Sequence, residues 1–151
     1  MNEDFNRANE HVWRYFELHS QQRMTVFNFY IAITGLLAAG IGFTLQQGGK
    51  YALFTSLMGI FVSFISFIFW KLDQRVSMLT KNAELALRDL ENLFVNKNLR
   101  IITKDNDNNS LNLGVRSAWT YGKCFRISFV IVGITGMILA AMPFLIRMSA
   151  S

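Results

Sequence analysis

The chain has 151 residues, of which 52% are hydrophobic and 17% are charged, and its formal net charge is +5. A soluble domain of this size carries about 25% charged residues, and here the charges are also clustered. With one proline and one cysteine, the composition excludes a disordered chain, a disulfide-rich secreted domain and an ordinary soluble globule. It favours an all-α integral membrane protein with a smaller cytoplasmic part.

Residues 1–24 are predicted to form an amphipathic helix on the cytoplasmic side. Asp4 is placed to cap this helix, and an apolar stripe with helical spacing runs from Phe5 to His19. Because no glycine or proline occurs before Gly35, we expect the helix to continue into the first apolar run.

Three long runs without charged residues follow. Each has about 20 residues, which is the length that a helix needs to cross roughly 30 Å of hydrocarbon. We predict transmembrane helices over residues 25–46, 51–71 and 125–147. A tight outside turn at 47–50 joins the first two, and a short tail remains at 148–151.

The distribution of lysine and arginine predicts the orientation. Thirteen of the 15 basic residues lie in residues 1–23 and 71–126, and the other two are Lys50 and Arg147. The positive-inside rule therefore predicts that the N-terminus and the segment 72–124 are cytoplasmic. The turn and the C-terminal tail are then outside.

The cytoplasmic segment begins with a heptad seam. Its apolar residues recur at intervals of four and three, namely Leu72, Val76, Leu79, Ala83, Ala86, Leu90 and Leu93. The seam fits packing on the N-terminal helix of the same chain as a helical stalk, contact between copies in an oligomer, or both. Beyond it, residues 103–110 are rich in Asn and Asp, and we predict a polar loop there.

The sequence contains no strong catalytic or metal-binding pattern. Two histidines eight residues apart and one cysteine do not give the ligand spacing of a zinc site, and no glycine-rich phosphate loop is present. Arg14 and His19 match the R-x4-H signature of HEPN ribonucleases, a remote alternative to His19 lying at the membrane interface. We therefore expect no enzyme activity, no cofactor and no metal.

Small and polar side chains follow one face of each predicted span. Such faces let helices approach closely, and this packing role needs no pore. The alternative is that five polar residues line a water-filled path: Asn28, Thr55, Ser56, Ser63 and Ser66. Because no ionisable residue lies inside a span, a proton relay or a voltage sensor is not favoured.

The segments Tyr15–Glu17, Gln22–Met24 and Trp70–Arg75, followed by a long helix with Asn82 and Glu84, resemble the SLATT group of small bacterial membrane proteins. The resemblance covers residues 10–95, and the third span has no counterpart in the two-span core of that group. It implies an inner-membrane effector of antiphage conflict systems that forms pores when activated. It also implies a nucleotide-sensing or nucleotide-making partner, and a nuclease is a further possible partner.

The basic residues of the cytoplasmic segment are candidates for binding an anionic signal molecule. Residues 71–126 hold ten basic and six acidic side chains, which favours an anionic nucleotide or oligonucleotide as well as anionic lipid headgroups. The residues predicted to bind a nucleotide are Arg100, Lys104 and Arg116, followed by Lys97 and Arg88. Two functions remain open. One is a homo-oligomeric channel gated by that signal or by a partner protein, and the other is a non-conducting anchor that recruits a soluble partner.

Overall fold

The computed structural model describes residues 2–93, 98, 100–111 and 119–149. Within those residues the chain is helical and contains no strand. The helices are α1 (Asn2–Gln46), α2 (Ala52–Glu91), α3 (Ile101–Leu111) and α4 (Tyr121–Ser149), and a short 3-10 helix over Gly48–Tyr51 joins α1 to α2. The all-α class predicted from the sequence is therefore confirmed.

Three of these helices are long and apolar enough to cross a membrane. The candidate spans lie within Glu3–Gln46 of α1, Ala52–Glu91 of α2 and Tyr121–Leu145 of α4. Their most apolar 18-residue windows have mean hydropathies of 1.8, 2.2 and 2.2, and no more than 28% of any window is buried inside the chain. Most of this apolar surface therefore needs lipid or another protein chain to cover it.

The chain divides into two compact units. We call Thr25–Asp73 together with Tyr121–Ser151 the apolar unit, and Met1–Met24 together with Gln74–Thr120 the polar unit. The helix α4 belongs to the apolar unit and α3 to the polar unit, whereas α1 and α2 contribute residues to both.

Aromatic side chains form the core of the apolar unit. Tyr30 of α1 is fully buried beside Phe125 and Phe129 of α4. The ring of Phe27 stacks on Phe125 with 4.0 Å between ring centres, and Tyr30 meets Phe129 edge to face at 4.7 Å. These large buried rings hold α1 against α4 through both area and ring geometry.

The helices α2 and α4 touch through small residues. The hydroxyl of Ser56 donates to the carbonyl of Ala140 and that of Ser63 to the carbonyl of Gly133, each at 2.8 Å. Ser63 follows Ser56 by seven residues on α2, whereas its partner Gly133 precedes Ala140 by seven residues on α4. The two helices are therefore antiparallel. A Cβ added to Gly59 would lie 2.7 Å from backbone atoms of α4, so here backbone packs against backbone, as it does in many membrane helix pairs.

In the polar unit, Glu91 at the end of α2 holds the start of α3. Its carboxylate accepts hydrogen bonds from the backbone N–H groups of Ile102 and Thr103 and from the Thr103 hydroxyl, each at 2.9 Å. The first amides of a helix have no partner within the helix. Glu91 therefore caps α3 from eleven residues before Ile102 and places a negative charge at its positive end.

The polar loop predicted over residues 103–110 is wrong, because α3 covers this segment. Asparagine and aspartate have low helix propensity, and the sequence next to the segment offers no strong capping pattern. The missing stabilisation comes from the distant carboxylate of Glu91 and from Arg88, which lies 3.7 Å from Asp107.

The buried stripe of α2 in the polar unit also differs from the predicted seam. Of the seam residues, Val76 and Ala83 are buried, Leu79, Ala86 and Leu90 are half-buried, and Leu72 and Leu93 are exposed. The other buried positions are Ser77, Thr80, Leu87 and Glu91, so the stripe is centred about one residue later. Thr80 tolerates burial because its hydroxyl donates to the Val76 carbonyl at 3.0 Å. Counting only apolar residues misplaced the stripe.

Candidate functional site

Four of the five residues predicted to line a path lie in contacts between helices of a single chain. Thr55, Ser56 and Ser66 are each no more than 4% exposed, and Ser63 is half-buried. Asn28 on α1 is exposed. Within one chain, the hydroxyl stripe of α2 therefore points toward the chain's own helices, and only Asn28 of the predicted set lies on an outer face.

The buried hydroxyls of α2 have partners on the neighbouring helices. The hydroxyl of Ser66 lies 2.9 Å from that of Tyr30 and donates to the carbonyl of Val62 at 2.8 Å. Thr55 donates to the hydroxyl of Thr44 at 2.9 Å. Since an unpaired polar group in hydrocarbon costs several kcal/mol, these pairs stabilise the association of α1 with α2. Tyr30 was not among the predicted residues, although a tyrosine inside an apolar run signals a buried partner for its hydroxyl.

The outer side of α1 carries a regular row of small residues. We call Asn28, Ala32, Gly35, Ala39 and Gly42 the α1 small-residue face; they recur at intervals of four and three. This face is directed away from the buried side of α1, which includes Tyr30 and Ile41. A Cβ on Gly35 or Gly42 would meet no described atom within 4 Å. The face is therefore open to a helix from outside the chain.

An ion pair joins α2 to α4 within the apolar unit. The Nε atom of Arg126 lies 3.6 Å from the Oδ2 atom of Asp73, and Asp73 is only 2% exposed. A buried carboxylate needs a nearby cation, and removal of that cation leaves an uncompensated charge. Sequence reasoning missed this pair, although the signal was available: opposite charges lie at the matching ends of two antiparallel apolar runs.

Two of the residues predicted to bind a nucleotide take part in contacts of the polar unit. Arg88 pairs with Asp107 of α3. The Nη2 atom of Arg100 donates to the backbone carbonyl of Asn92 at 3.2 Å. Both arginines therefore help to hold α3 next to the end of α2.

The remaining residues of the predicted nucleotide patch are only partly described. Lys104 is exposed on α3, whereas Lys97 and Arg116 lie outside the described residues. Asp105 and Asp107 are exposed on the same helix as Lys104. The described part of this surface is thus mixed in charge.

Arg14 and His19 are not brought together by the structure. Arg14 forms an ion pair with Glu10 at 2.5 Å, and the Nδ1 atom of His19 lies 2.8 Å from the Tyr15 carbonyl. Residues five apart on a helix are separated by about 140° around its axis. Within one chain, the two side chains therefore project from different sides of α1.

The carboxyl of Glu91 is a titratable group that accepts three hydrogen bonds from the start of α3. Burial by itself raises the pKa of this carboxyl. The hydrogen bonds from Ile102 and Thr103 outweigh that effect and hold its pKa below the ordinary value. Glu91 is therefore ionised at neutral pH, and its charge is what fixes the start of α3.

Comparison with known proteins gives one informative match. No known protein-family profile matches the chain, and no solved structure matches it. A protein of Escherichia coli named CD-NTase-associated protein 19 is 77% identical to it over 151 residues, which is the full length of both chains. Together with the three membrane-capable helices, this identity assigns the family: the chain belongs to the family of CD-NTase-associated protein 19.

Proposed function

We propose that the protein is a membrane effector of an antiphage defence system and that it forms a homo-oligomeric channel. The name of its relative records association with a CD-NTase, and we extend that association, with a nucleotide-signalling system as partner, to this chain. The observation that carries the channel proposal is the α1 small-residue face, which is open in the single chain and includes the exposed amide of Asn28.

A polar amide on a lipid-facing helix is unfavourable, because hydrocarbon offers it no hydrogen-bond partner. A face of alanine and glycine lets helices from identical subunits approach closely. In a ring with cyclic symmetry, the α1 helices meet through this face, and Asn28 of every subunit lies near a common axis. We therefore propose that α1 lines the path, since the hydroxyls of α2 are used within one chain.

In this proposal the N-terminus and the polar unit are on the cytoplasmic side of the bacterial inner membrane, as the positive-inside rule predicts. A nucleotide or oligonucleotide made by the partner system, or the partner protein itself, acts on the polar unit. Such a signal must bind the open and closed states with different affinity, because equal affinity shifts no population. Opening dissipates the membrane potential, and the chain itself needs no catalytic step.

Conductance of the purified protein in planar bilayers tests the proposal, and α1 offers a matched pair of variants. Ala38 and Ala39 are both exposed and lie about 100° apart around the helix, but only Ala39 belongs to the α1 small-residue face. We expect Ala39→Leu to lower both the oligomer mass measured by light scattering and the channel current. Ala38→Leu should retain both.

If Ala39→Leu changed neither the oligomer mass nor the channel current, the α1 small-residue face would be rejected as the surface through which subunits meet. A stable oligomer that passes no current, with or without the partner system, would instead favour the non-conducting anchor that recruits a soluble partner.

The signal is tested with charge variants of the polar unit. Lys104→Gln combined with Arg116→Gln should weaken the cell depolarisation that follows phage infection in the presence of the partner CD-NTase, because two cations of the predicted anion site are removed. Lys81→Gln, an exposed lysine on α2, is the control and should behave like the parent chain. An unchanged response of the double variant would reject these two residues as the sensor.

A further inference from the structure

We propose that a groove between α2 and α4 binds an acyl chain of an anionic phospholipid whose phosphate pairs with Lys71. The groove lies in the apolar unit and has a volume of about 280 Å³. Its α2 wall includes Ser63, Phe67 and Trp70, and its α4 wall includes Val130 and Gly133. The site is independent of the channel proposal, since it requires only that these helices lie in a bilayer.

The chemistry of the walls selects an apolar occupant. The polar side chains among the lining residues are Ser63 and Ser66. Ser63 donates within the α2–α4 contact to the carbonyl of Gly133, and Ser66 is held by Tyr30 and by a backbone carbonyl of its own helix. The O–H donors of both serines are therefore already used within the chain, whereas a hydrocarbon chain needs no hydrogen-bond partner.

The dimensions also suit part of a lipid tail. From Ser63 to Trp70 the α2 helix rises roughly 10 Å, which is about two thirds of the ~15 Å that one leaflet contributes to the hydrocarbon core. Gly133 on the opposite wall has no side chain to fill the groove, and a Cβ there would approach only Ser66, at 3.4 Å. The groove is open along its outer side, where the tails of a bilayer lie.

Charge at one end of the groove selects the headgroup. The Nζ atom of Lys71 lies 4.9 Å from the ring centre of Trp70 and 6.0 Å from that of Phe67, and both rings line the groove. A smaller depression that shares Val130 with the groove has Arg126 among its lining residues, although Arg126 also pairs with Asp73. A tryptophan with lysine at the end of an apolar run is the arrangement found at the headgroup level, where a basic pocket between helices favours lipid phosphate.

Quenching of Trp70 fluorescence by brominated lipids measures occupancy directly. The full chain with Trp13→Phe and Trp119→Phe leaves Trp70 as the single reporter, because the protein has three tryptophans. This parent is placed in phosphatidylcholine nanodiscs that contain either brominated phosphatidylglycerol or brominated phosphatidylcholine at the same mole fraction. We expect a preference of about fivefold for the anionic lipid, the effect of one lysine close to a charged headgroup.

Four variants separate the effect of the Lys71 charge on lipid preference from the effect of the groove's shape on lipid occupancy. Lys71→Gln should remove the preference and Lys71→Arg should keep it. Lys50→Gln, which removes a lysine stacked 5.9 Å from the ring centre of Tyr51 at the other end of α2, should also keep it. Val130→Phe narrows the groove without changing any charge and should lower quenching by both lipids.

Three results would overturn the proposal. The first is equal quenching of the parent chain by the two brominated lipids. The second is an effect of Lys50→Gln as large as that of Lys71→Gln. The third is weak quenching by either lipid together with disulfide formation between copies that carry Val130→Cys and Cys124→Ser, since this would show that a second copy of the chain covers the groove.

Discussion

The Glu91 carboxylate is buried, and burial of a carboxylate is normally unfavourable. It is stable here because it accepts three hydrogen bonds at the N-terminus of α3, where the peptide dipoles favour a negative charge. One side chain at the end of α2 therefore makes a large contribution to keeping the eleven residues of α3 helical and attached, together with Arg88 and Arg100.

Replacement of Glu91 by glutamine keeps the shape of the side chain and removes its charge. We expect Glu91→Gln to weaken the attachment of α3 by about 2 kcal/mol, the size of a lost charged cap. Hydrogen exchange of the α3 amides measures this loss. Asp89→Asn removes an exposed carboxylate two positions earlier and should leave the exchange of α3 unchanged.

The same carboxyl makes the attachment of α3 depend on pH. Because the folded pKa of Glu91 is lowered, its contribution is fully present above the unfolded pKa of about 4.3 and is lost as pH falls through the folded value. We expect α3 protection to be constant from pH 7 to pH 5 and to decrease below about pH 4.3. An equally steep decrease in Glu91→Gln would show that another group is responsible.

At the scale of helices, the α2–α4 contact is the least tolerant of added volume. A Cβ on Gly136 would lie 2.6 Å from the Oγ atom of Ser63 and 2.8 Å from the backbone oxygen of Gly59. A side chain can rotate away from such a contact, but a backbone carbonyl inside a helix cannot. The helices would have to separate.

We therefore expect Gly136→Ala to destabilise the apolar unit by about 1–3 kcal/mol, the usual cost of overpacking. Gly133→Ala is the matched control one turn earlier, because its new methyl lies 3.4 Å from the Cβ of Ser66, an ordinary contact. Thermal unfolding of the two variants in detergent measures the difference. Equal melting temperatures would mean that α2 and α4 are not in contact as described.

The sequence predicts the helices better than their contacts, for identifiable reasons. Charge-free runs located the three apolar helices, since their length and composition are local properties. The cap of α3 was missed because Glu91 precedes Ile102 by eleven residues. The stripe on α2 was misplaced because Ser77 and Thr80 are buried polar residues.

The path-lining residues show the limit of periodicity most clearly. A row of hydroxyls at helical spacing looks the same whether it faces another subunit or another helix of the same chain. The structure supplies what the sequence lacks, since it pairs Ser56 with Ala140 and Ser63 with Gly133. Asn28, the one predicted residue on α1, carries an amide and faces outward.

At the scale of the whole molecule, chemical labelling of Cys124 tests the predicted orientation in the membrane. It is the one cysteine of the chain and is exposed, beside the apolar run of α4. If the positive-inside rule holds, a membrane-impermeant maleimide should label Cys124 in permeabilised cells and leave it unlabelled in intact spheroplasts. The variant Cys124→Ser with Lys50→Cys should be labelled in intact spheroplasts as well as in permeabilised cells. Labelling of Cys124 from outside would reverse the proposed topology.

The α2–α4 contact also has a consequence for how the protein is made. Ser63 donates to the carbonyl of Gly133, a residue 70 positions later, and ribosomes add about 5–20 residues per second. For roughly 4 to 14 s, the growing chain therefore carries α2 with its serine and glycine face not yet covered by α4. A chain that ends after Glu91 would keep this face open to lipid and to other unfinished chains. Completion of α4 thus covers the serine and glycine face of α2, which a truncated subunit would leave exposed.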